Sequence, residues 1–183
     1  MLWEKLFNPF LRIAGFRSLW IGLVVLILVS GLAVFCHCHF DGALDVHIGA
    51  KSPTWFYFAE NFIAWISLFV TLYVAGRFSS KSKIRVVDVA GTVVLARWPM
   101  IFVVLAAFII KDTPITAHDI TAPLIVFGFI SMVFSISMIA LLYNAYSVSC
   151  NVKGSRATLS FIIAIIVAET ISKLIIINLQ KII

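Results

Sequence analysis

Residues 89–110 read VAGTVVLARWPMIFVVLAAFII, and this stretch decides what kind of protein the chain encodes. It lies between Asp88 and Lys111, and it contains one charged residue, Arg97. At about 1.5 Å of rise per residue, a helix of this length crosses a hydrocarbon core of ~30 Å. Pro99 follows Arg97 closely, so the stretch combines a charge with a helix-breaking residue, which predicts a kink at this point.

The composition of the whole chain agrees with a membrane protein. Of its 183 residues, 62% are hydrophobic and 12% are charged, whereas about a quarter of the residues of a soluble domain are charged. So few charges cannot cover this much apolar mass with a water-soluble surface. We therefore predict a single membrane domain, all-α, built as a bundle of five transmembrane helices. The predicted spans are 19–36, 56–76, 89–110, 123–146 and 159–179, and a tail of residues 1–18 precedes them.

The basic residues outside the spans are distributed unevenly between the two sides. One side holds nine of them: Lys5, Arg12, Arg17, Arg77, Lys81, Lys83, Arg85, Lys153 and Arg156. The other side holds three: Lys51, Lys111 and Lys181. Positive charge marks the cytoplasmic side of a membrane. This predicts a multi-pass protein of the cell inner (cytoplasmic) membrane with the N-terminus inside and the C-terminus outside. It also explains the net charge of +6 without a nucleic-acid partner.

Two basic segments on the predicted inner side are candidates for contact with lipid or with a partner protein. The tail is amphipathic, and its apolar residues recur at helical spacing. It is either a short helix lying on the membrane, with Arg12 and Arg17 toward anionic headgroups, or an extension of the first span. The loop between the second and third spans carries Arg77, Lys81, Lys83 and Arg85, which favour anionic headgroups or an acidic partner.

Four ionisable residues fall inside the predicted spans: Glu60, Arg97, Glu169 and Lys173. Such residues usually face the interior of a bundle and pair with one another. At the rise of a helix, Arg97 and Glu169 lie ~12 and ~15 Å deep, and Lys173 and Glu60 lie ~21 and ~24 Å deep. These depths predict a polar ladder in the order Arg97–Glu169–Lys173–Glu60. The ladder serves either to hold the helices together or to form a path for a transported solute or proton.

The first outer loop contains a cluster of potential metal ligands. The imidazoles and carboxylates of His39, Asp41, Asp45 and His47 are of the types that bind zinc or a similar divalent ion. Their spacing matches no standard zinc motif, and Asp41-Gly42 also reads as a turn. A divalent metal site and a purely structural loop both remain open. Apart from this metal, the residues indicate no cofactor, and we see no nucleophile with an adjacent base, so we expect no enzymatic activity.

Small and polar residues form a stripe along two of the predicted helices. In the second span they are Glu60, Ala64, Ser67, Thr71 and Ala75, and in the fourth span they are Gly128, Ser131 and Ser135. Stripes of this kind allow neighbouring helices to approach closely and to form hydrogen bonds. We therefore predict that both stripes lie at contacts between helices.

Two stretches of the chain stand out together with Asn8-Pro9 before the first span, namely VVDVAGTVVLARWPMIFVVL at 86–105 and LLYNAYSVSCNVKGSRATLSFIIAIIV at 141–167. These residues resemble the Yip family of five-span membrane proteins. The resemblance implies five spans and a cytoplasmic N-terminus. Eukaryotic members associate with Rab-type GTPases, but they carry a longer N-terminal region and a D-L-Y-G-P-like signature that this chain lacks. The chain looks like the compact bacterial branch, so Rab binding is not carried over, and the family implies no active-site residues.

Three hypotheses about function follow. The first is a non-enzymatic membrane organiser or adaptor that binds lipids, other membrane proteins or a second copy of itself. The second is a small transporter or channel that uses Arg97, Glu169, Lys173 and Glu60. The third is a metal-binding or metal-dependent membrane protein with its site at His39, Asp41, Asp45 and His47.

Overall fold

A computed structural model describes residues 9–110 and 121–182 of the protein. After a single 3-10 turn at Pro9–Leu11, the chain forms six α-helices and one short hairpin within these residues. They are α1 (Gly15–Cys36), β1 (Cys38–His39), β2 (His47–Ile48), α2 (Thr54–Ser79), α3 (Val86–Ala96), α4 (Met100–Ala107), α5 (Ala122–Cys150) and α6 (Gly154–Gln180). Helices α3 and α4 together make one span, so the described residues contain five segments long and apolar enough to cross a membrane. The predicted all-α bundle of five helices is confirmed, and the protein is an integral, multi-pass membrane protein.

The third span is the centre of the bundle. In its most apolar window 78% of the residues are buried, against 17% for α5. Two glycines allow it to approach α1 closely, since a Cβ at Gly22 would lie 2.7 Å from the backbone nitrogen of Leu95. A Cβ at Gly91 would lie 2.7 Å from the carbonyl oxygen of Gly15. The contact between α1 and α3 therefore depends on the absence of a side chain at both positions.

The predicted kink in the third span is present as a break between α3 and α4. Proline at 99 has no N–H to donate to the carbonyl of Leu95. The chain tightens instead, and the Trp98 N–H donates to that carbonyl at 3.1 Å while the Arg97 N–H donates to Val94 at 3.3 Å. These i to i+3 bonds are those of a 3-10 turn. They place Arg97 at the end of α3, where its backbone is no longer part of a regular helix.

The other helices surround this span unevenly. Helix α2 packs mainly on α6, and α5 packs on α3 and α4. The stripe of α2 is buried at Glu60, Ala64, Ser67 and Thr71, as expected of a packing surface. The stripe of α5 makes no tight contact at Gly128, which is exposed and where a Cβ would meet none of the described residues within 4 Å, whereas the hydroxyl oxygen of Ser131 is buried. In this helix the larger side chains Phe127, Met138 and Leu142 face the core instead.

The bundle has two chemically different ends. The end that carries residues 9–14, 80–85 and 151–153 is called the basic end here, and the end that carries residues 37–53 is called the hairpin end. Most of the predicted amphipathic tail lies outside the described residues. Of the part that is described, Phe10 is buried against α5, while Arg12 is exposed.

Candidate functional site

The hairpin end is closed by a loop that folds into the bundle. Helix α1 ends at Cys36, and the next residue, His37, turns the chain back with a φ of 53°, in the left-handed region. Strands β1 and β2 then pair antiparallel, with His39 opposite His47. Between them Phe40 and Ala43 are each 1% exposed. Residues 37–50, called the hairpin plug below, therefore pack their tip among the helices rather than projecting from them.

Glu60 in α2 anchors the first strand of the hairpin plug. Its side chain is fully buried. One carboxylate oxygen lies 3.0 Å from His39 Nδ1, and the other accepts the Phe40 N–H at 3.2 Å. The second ring nitrogen of His39 lies 2.9 Å from the carbonyl oxygen of Ala50, and the ring stacks on Tyr57 with centroids 4.5 Å apart. Both nitrogens of this imidazole are thus engaged, as in a protonated histidine that donates from both sides.

The environment of His39 favours its charged form. Burial lowers the pKa of His39, but the hydrogen bond and the negative charge of Glu60 outweigh burial, so the pKa is raised above its ordinary value. The carbonyl of Ala50 and the charge of Asp41 act in the same direction. A buried carboxylate and a protonated imidazole form a compensated pair. The pair links the hairpin plug to α2.

Arg97 anchors the tip of the same plug from the third span. Its Nη1 donates to the carbonyl oxygen of Ala43 at 2.6 Å, and its Nη2 donates to Oδ1 of Asn61 at 2.9 Å. The guanidinium carbon lies 5.9 Å from the ring centre of Phe40. The side chain is 5% exposed, and its Nε has no hydrogen-bond partner among the described residues. Asn61 also donates to Ser30 Oγ at 3.1 Å, so the arginine joins α1, α2 and the hairpin plug.

Glu169 and Lys173 hold the far side of the plug from α6. Glu169 Oε2 accepts the Leu44 N–H at 2.9 Å, and its carboxylate occupies the space that a side chain at Gly42 would need. Lys173 Nζ lies 3.2 Å from Glu169 Oε1 in an ion pair without hydrogen-bond geometry, and it also forms an ion pair with Asp45. Three helices therefore bind one short stretch of loop through charged side chains.

The predicted polar ladder is only partly present. Glu169 and Lys173 pair within α6 as their spacing predicts. The described ion pairs do not include Arg97 with Glu169 or Lys173 with Glu60. The prediction compared depths along straight helices only, and it assumed that the first outer loop lies outside the bundle. The hairpin plug instead reaches down between the helices, and its backbone and His39 take the positions expected of the opposite charges.

The four predicted metal ligands are near one another but are engaged separately. His39 binds Glu60 and Ala50, while Asp45 pairs with Lys173. Asp41 and His47 form their own pair at 2.5 Å. In the described part of the chain no group of three or more such side chains is arranged to hold a metal. A metal at all four would require His39 to give up both of its partners, and the hypothesis of a metal site stays a prediction.

The basic residues predicted to contact lipid or a partner all lie exposed at the basic end. They are Arg12, Arg17, Arg77, Lys81, Lys83 and Arg85, and Lys153 and Arg156 join them from the turn before α6. Among the described residues, this end has one acid, Asp88, whose Oδ2 lies 3.7 Å from Arg85 Nε. The remaining cations of this end have no described ion-pair partner. The two ends therefore differ, because each described carboxylate of the hairpin end has a histidine or lysine partner, whereas most cations of the basic end have no described carboxylate partner.

Sequence reasoning missed the residues that complete the hairpin end. Asn61 was overlooked because it lies beside the stripe of α2 that contains Glu60, although an amide in an apolar helix is itself a signal of a buried polar contact. Gly42 was read as a turn residue, whereas its lack of a side chain also makes room for Glu169. Comparison of the chain with protein-family models, curated proteins and solved structures found no match. Function is therefore argued from the geometry alone.

Proposed function

We propose that this protein is a non-enzymatic membrane organiser or adaptor whose basic end binds anionic lipid headgroups or acidic partner proteins. The observation that carries this proposal is the charge of that end. Eight exposed cations are described there against the one carboxylate of Asp88. Each Lys or Arg near an anionic membrane surface contributes about 1 kcal/mol of attraction. A surface of this composition is suited to binding negative charge at the membrane.

The hairpin end supports the same proposal from the other direction. Glu60 and Arg97 are buried, and both are bound to the hairpin plug. Charges inside a membrane usually face the interior of a bundle and bind other charges or backbone carbonyls there. The four charges first considered for a transport path therefore act, in this proposal, as the means by which the bundle fixes its loop. They do not move a solute.

The proposal includes an orientation and a location. The basic end faces the cytoplasm, in keeping with the distribution of Lys and Arg between loops. This puts the N-terminus inside and the C-terminus outside the inner (cytoplasmic) membrane. The Yip resemblance implies the same orientation and remains a proposal alongside it. A protease added to intact spheroplasts should leave an N-terminal tag intact and remove a C-terminal one, and the reverse pattern would refute the orientation.

The binding proposal is tested with the full chain purified from membranes that contain both zwitterionic and anionic phospholipids. Native mass spectrometry measures the ratio of anionic to zwitterionic lipids that remain bound. We expect enrichment of anionic lipids in the wild type. A variant with Arg77, Lys81, Lys83 and Arg85 changed to Gln should lose most of it. A control variant with Lys51 and Lys181 changed to Gln, which removes two positive charges from the opposite end, should retain it. Equal lipid ratios in all three proteins, with no acidic partner protein bound, would refute the proposal.

A further inference from the structure

A cleft at the basic end has the lining of an anion site. It has a volume of about 340 Å³, and it opens between the end of α2 and the turn that joins α5 to α6. This volume lies within the range of roughly 300–1,000 Å³ that is usual for ligand pockets. Its lining consists of Ser79, Lys81, Ser82, Asn151, Val152, Lys153 and Arg156. No carboxylate is among these residues.

Backbone geometry and a hydrogen bond shape the cleft. Asn151 ends α5 in the left-handed conformation, with φ of 51°. Its Nδ2 donates to Ser82 Oγ at 2.8 Å, which ties the two walls of the cleft together. The next residue, Val152, is buried, and its carbonyl accepts from Ser147 Oγ at 2.8 Å. The cations therefore extend from a turn that is fixed at both ends.

The charges of the cleft are uncompensated. Lys81 lies in the loop after α2, Lys153 caps the start of α6 and Arg156 lies in the first turn of that helix, and none of them has an ion-pair partner among the described residues. The first turn of α6 contains no acidic residue, and Lys153 makes no capping bond there through its side chain. Helix N-termini favour negative charge and disfavour positive charge. Lys153 and Arg156 therefore add positive charge at a helix end that favours a negative group.

We propose that this cleft is a binding site for a terminal phosphate group, which is present in the phosphomonoesters of some membrane lipid headgroups and in free inorganic phosphate. This proposal deepens the proposed function and rests on it. Three cations match a group that carries about −1.5 to −2 charge at pH 7 better than a singly charged phosphodiester. The hydroxyls of Ser79 and Ser82 provide additional donors to its oxygens. The position at the end of two spans places the cleft at headgroup level.

The experiment compares lipids that share acyl chains and differ in the headgroup. The full-length protein in detergent is titrated with phosphatidic acid, a phosphomonoester, and with phosphatidylglycerol, a phosphodiester, and binding is followed by native mass spectrometry. Inorganic phosphate is the soluble competitor. The test variant is Lys153→Gln with Arg156→Gln, and the matched control is Arg77→Gln with Lys83→Gln, which removes the same charge from the same end outside the cleft.

We expect the wild type to prefer phosphatidic acid. The test variant should lose about 25-fold in affinity for it, because it removes two direct charged contacts to the phosphate that contribute a factor of about five each. The control should lose distinctly less, and Arg156→Lys should retain most of the binding. If inorganic phosphate displaces phosphatidic acid completely and binds with equal affinity, the cleft is a phosphate site whose ligand is soluble. Equal losses in test and control variants would overturn the cleft proposal and leave general anionic binding intact. No preference for either anionic lipid over a zwitterionic one would overturn both.

Discussion

Removing the charge of Glu60 should detach the hairpin plug while leaving the rest of the bundle folded. In Glu60→Gln the amide oxygen still accepts the Phe40 N–H, but the ion pair with His39 is lost. A hydrogen bond to a charged group contributes about 1.5–3 kcal/mol. We therefore expect the free energy of opening of the plug to fall by ~2 kcal/mol, which raises the open population about 30-fold.

The thiol of Cys38 reports this opening. Cys38 lies in β1, and its side chain is completely buried. Hydrogen bonding with Cys36, burial and the nearby charge of Glu60 raise the pKa of Cys38, so the thiol is unreactive while the plug is closed. A water-soluble maleimide should label it about 30-fold faster in the variant, with the site identified by mass spectrometry. The rate is normalised to that of the denatured protein.

Two controls decide whether the change is local. Cys150 is buried at the basic end, and its labelling rate should not change in Glu60→Gln. Asp88→Asn, which removes a partly exposed carboxylate from the same end, should leave Cys38 protected. If Cys38 is labelled at the wild-type rate in Glu60→Gln, Glu60 does not hold the plug. If the labelling rate of Cys150 increases as much as that of Cys38, Glu60 stabilises the whole bundle and the local interpretation is refuted.

Three further predictions concern His39, two glycines and the pair Arg97 and Glu169. Because the pKa of His39 is raised, its stabilisation of the plug is complete below the ordinary histidine pKa and is lost as the pH rises through the raised value. The labelling rate of Cys38, normalised to that of the denatured protein, should increase over this interval, and a rate independent of pH would contradict the charged pair. Gly91→Ala should lower the free energy of thermal or denaturant unfolding by ~1–3 kcal/mol, because its Cβ meets the backbone of α1. Gly128→Ala, whose Cβ meets none of the described residues, should leave this free energy unchanged or raise it by up to ~1 kcal/mol. The double variant Arg97→Glu with Glu169→Arg should not restore the stability and expression that either single variant loses. The reason is that Arg97 binds a carbonyl of the loop whereas Glu169 binds an N–H of the loop, so each exchanged side chain meets the wrong group. Restoration would mean that the two residues pair directly.

Much of the fold could be predicted from the sequence because lipid imposes a strong constraint. The lengths of apolar segments are set by membrane thickness, so all five spans were located. Pro99 lacks an N–H whatever surrounds it, so the break was located as well. Helix boundaries differed by a few residues. For example, α5 continues to Cys150 instead of ending at 146. The residues at the end of a span lie at the membrane interface, where polar side chains are common, so the sequence predicts a loop there although the helix continues.

The candidate site was harder to predict because its partners are not side chains of opposite charge. Arg97 binds a carbonyl of Ala43, and Glu169 binds the N–H of Leu44, and every loop residue offers such groups. Nothing in the residue types showed that the loop folds inward. The prediction of a helix contact at Gly128 in α5 was wrong for a related reason. Small residues permit a close approach of helices, but they do not specify which neighbour is present, and a Cβ at Gly128 would meet none of the described residues within 4 Å.

The contacts of the hairpin plug also bear on the order in which the chain is made. Glu60 binds His39 and Phe40, which precede it in the chain. The partners of Arg97, Ala43 and Asn61, precede it too. The charged residues of α6 follow the same rule, since Glu169 and Lys173 bind Leu44 and Asp45. Each intramembrane charge therefore meets a partner that has already been synthesised when it enters the bilayer. The loop between the first two spans is therefore available to each later charged helix as that helix is made.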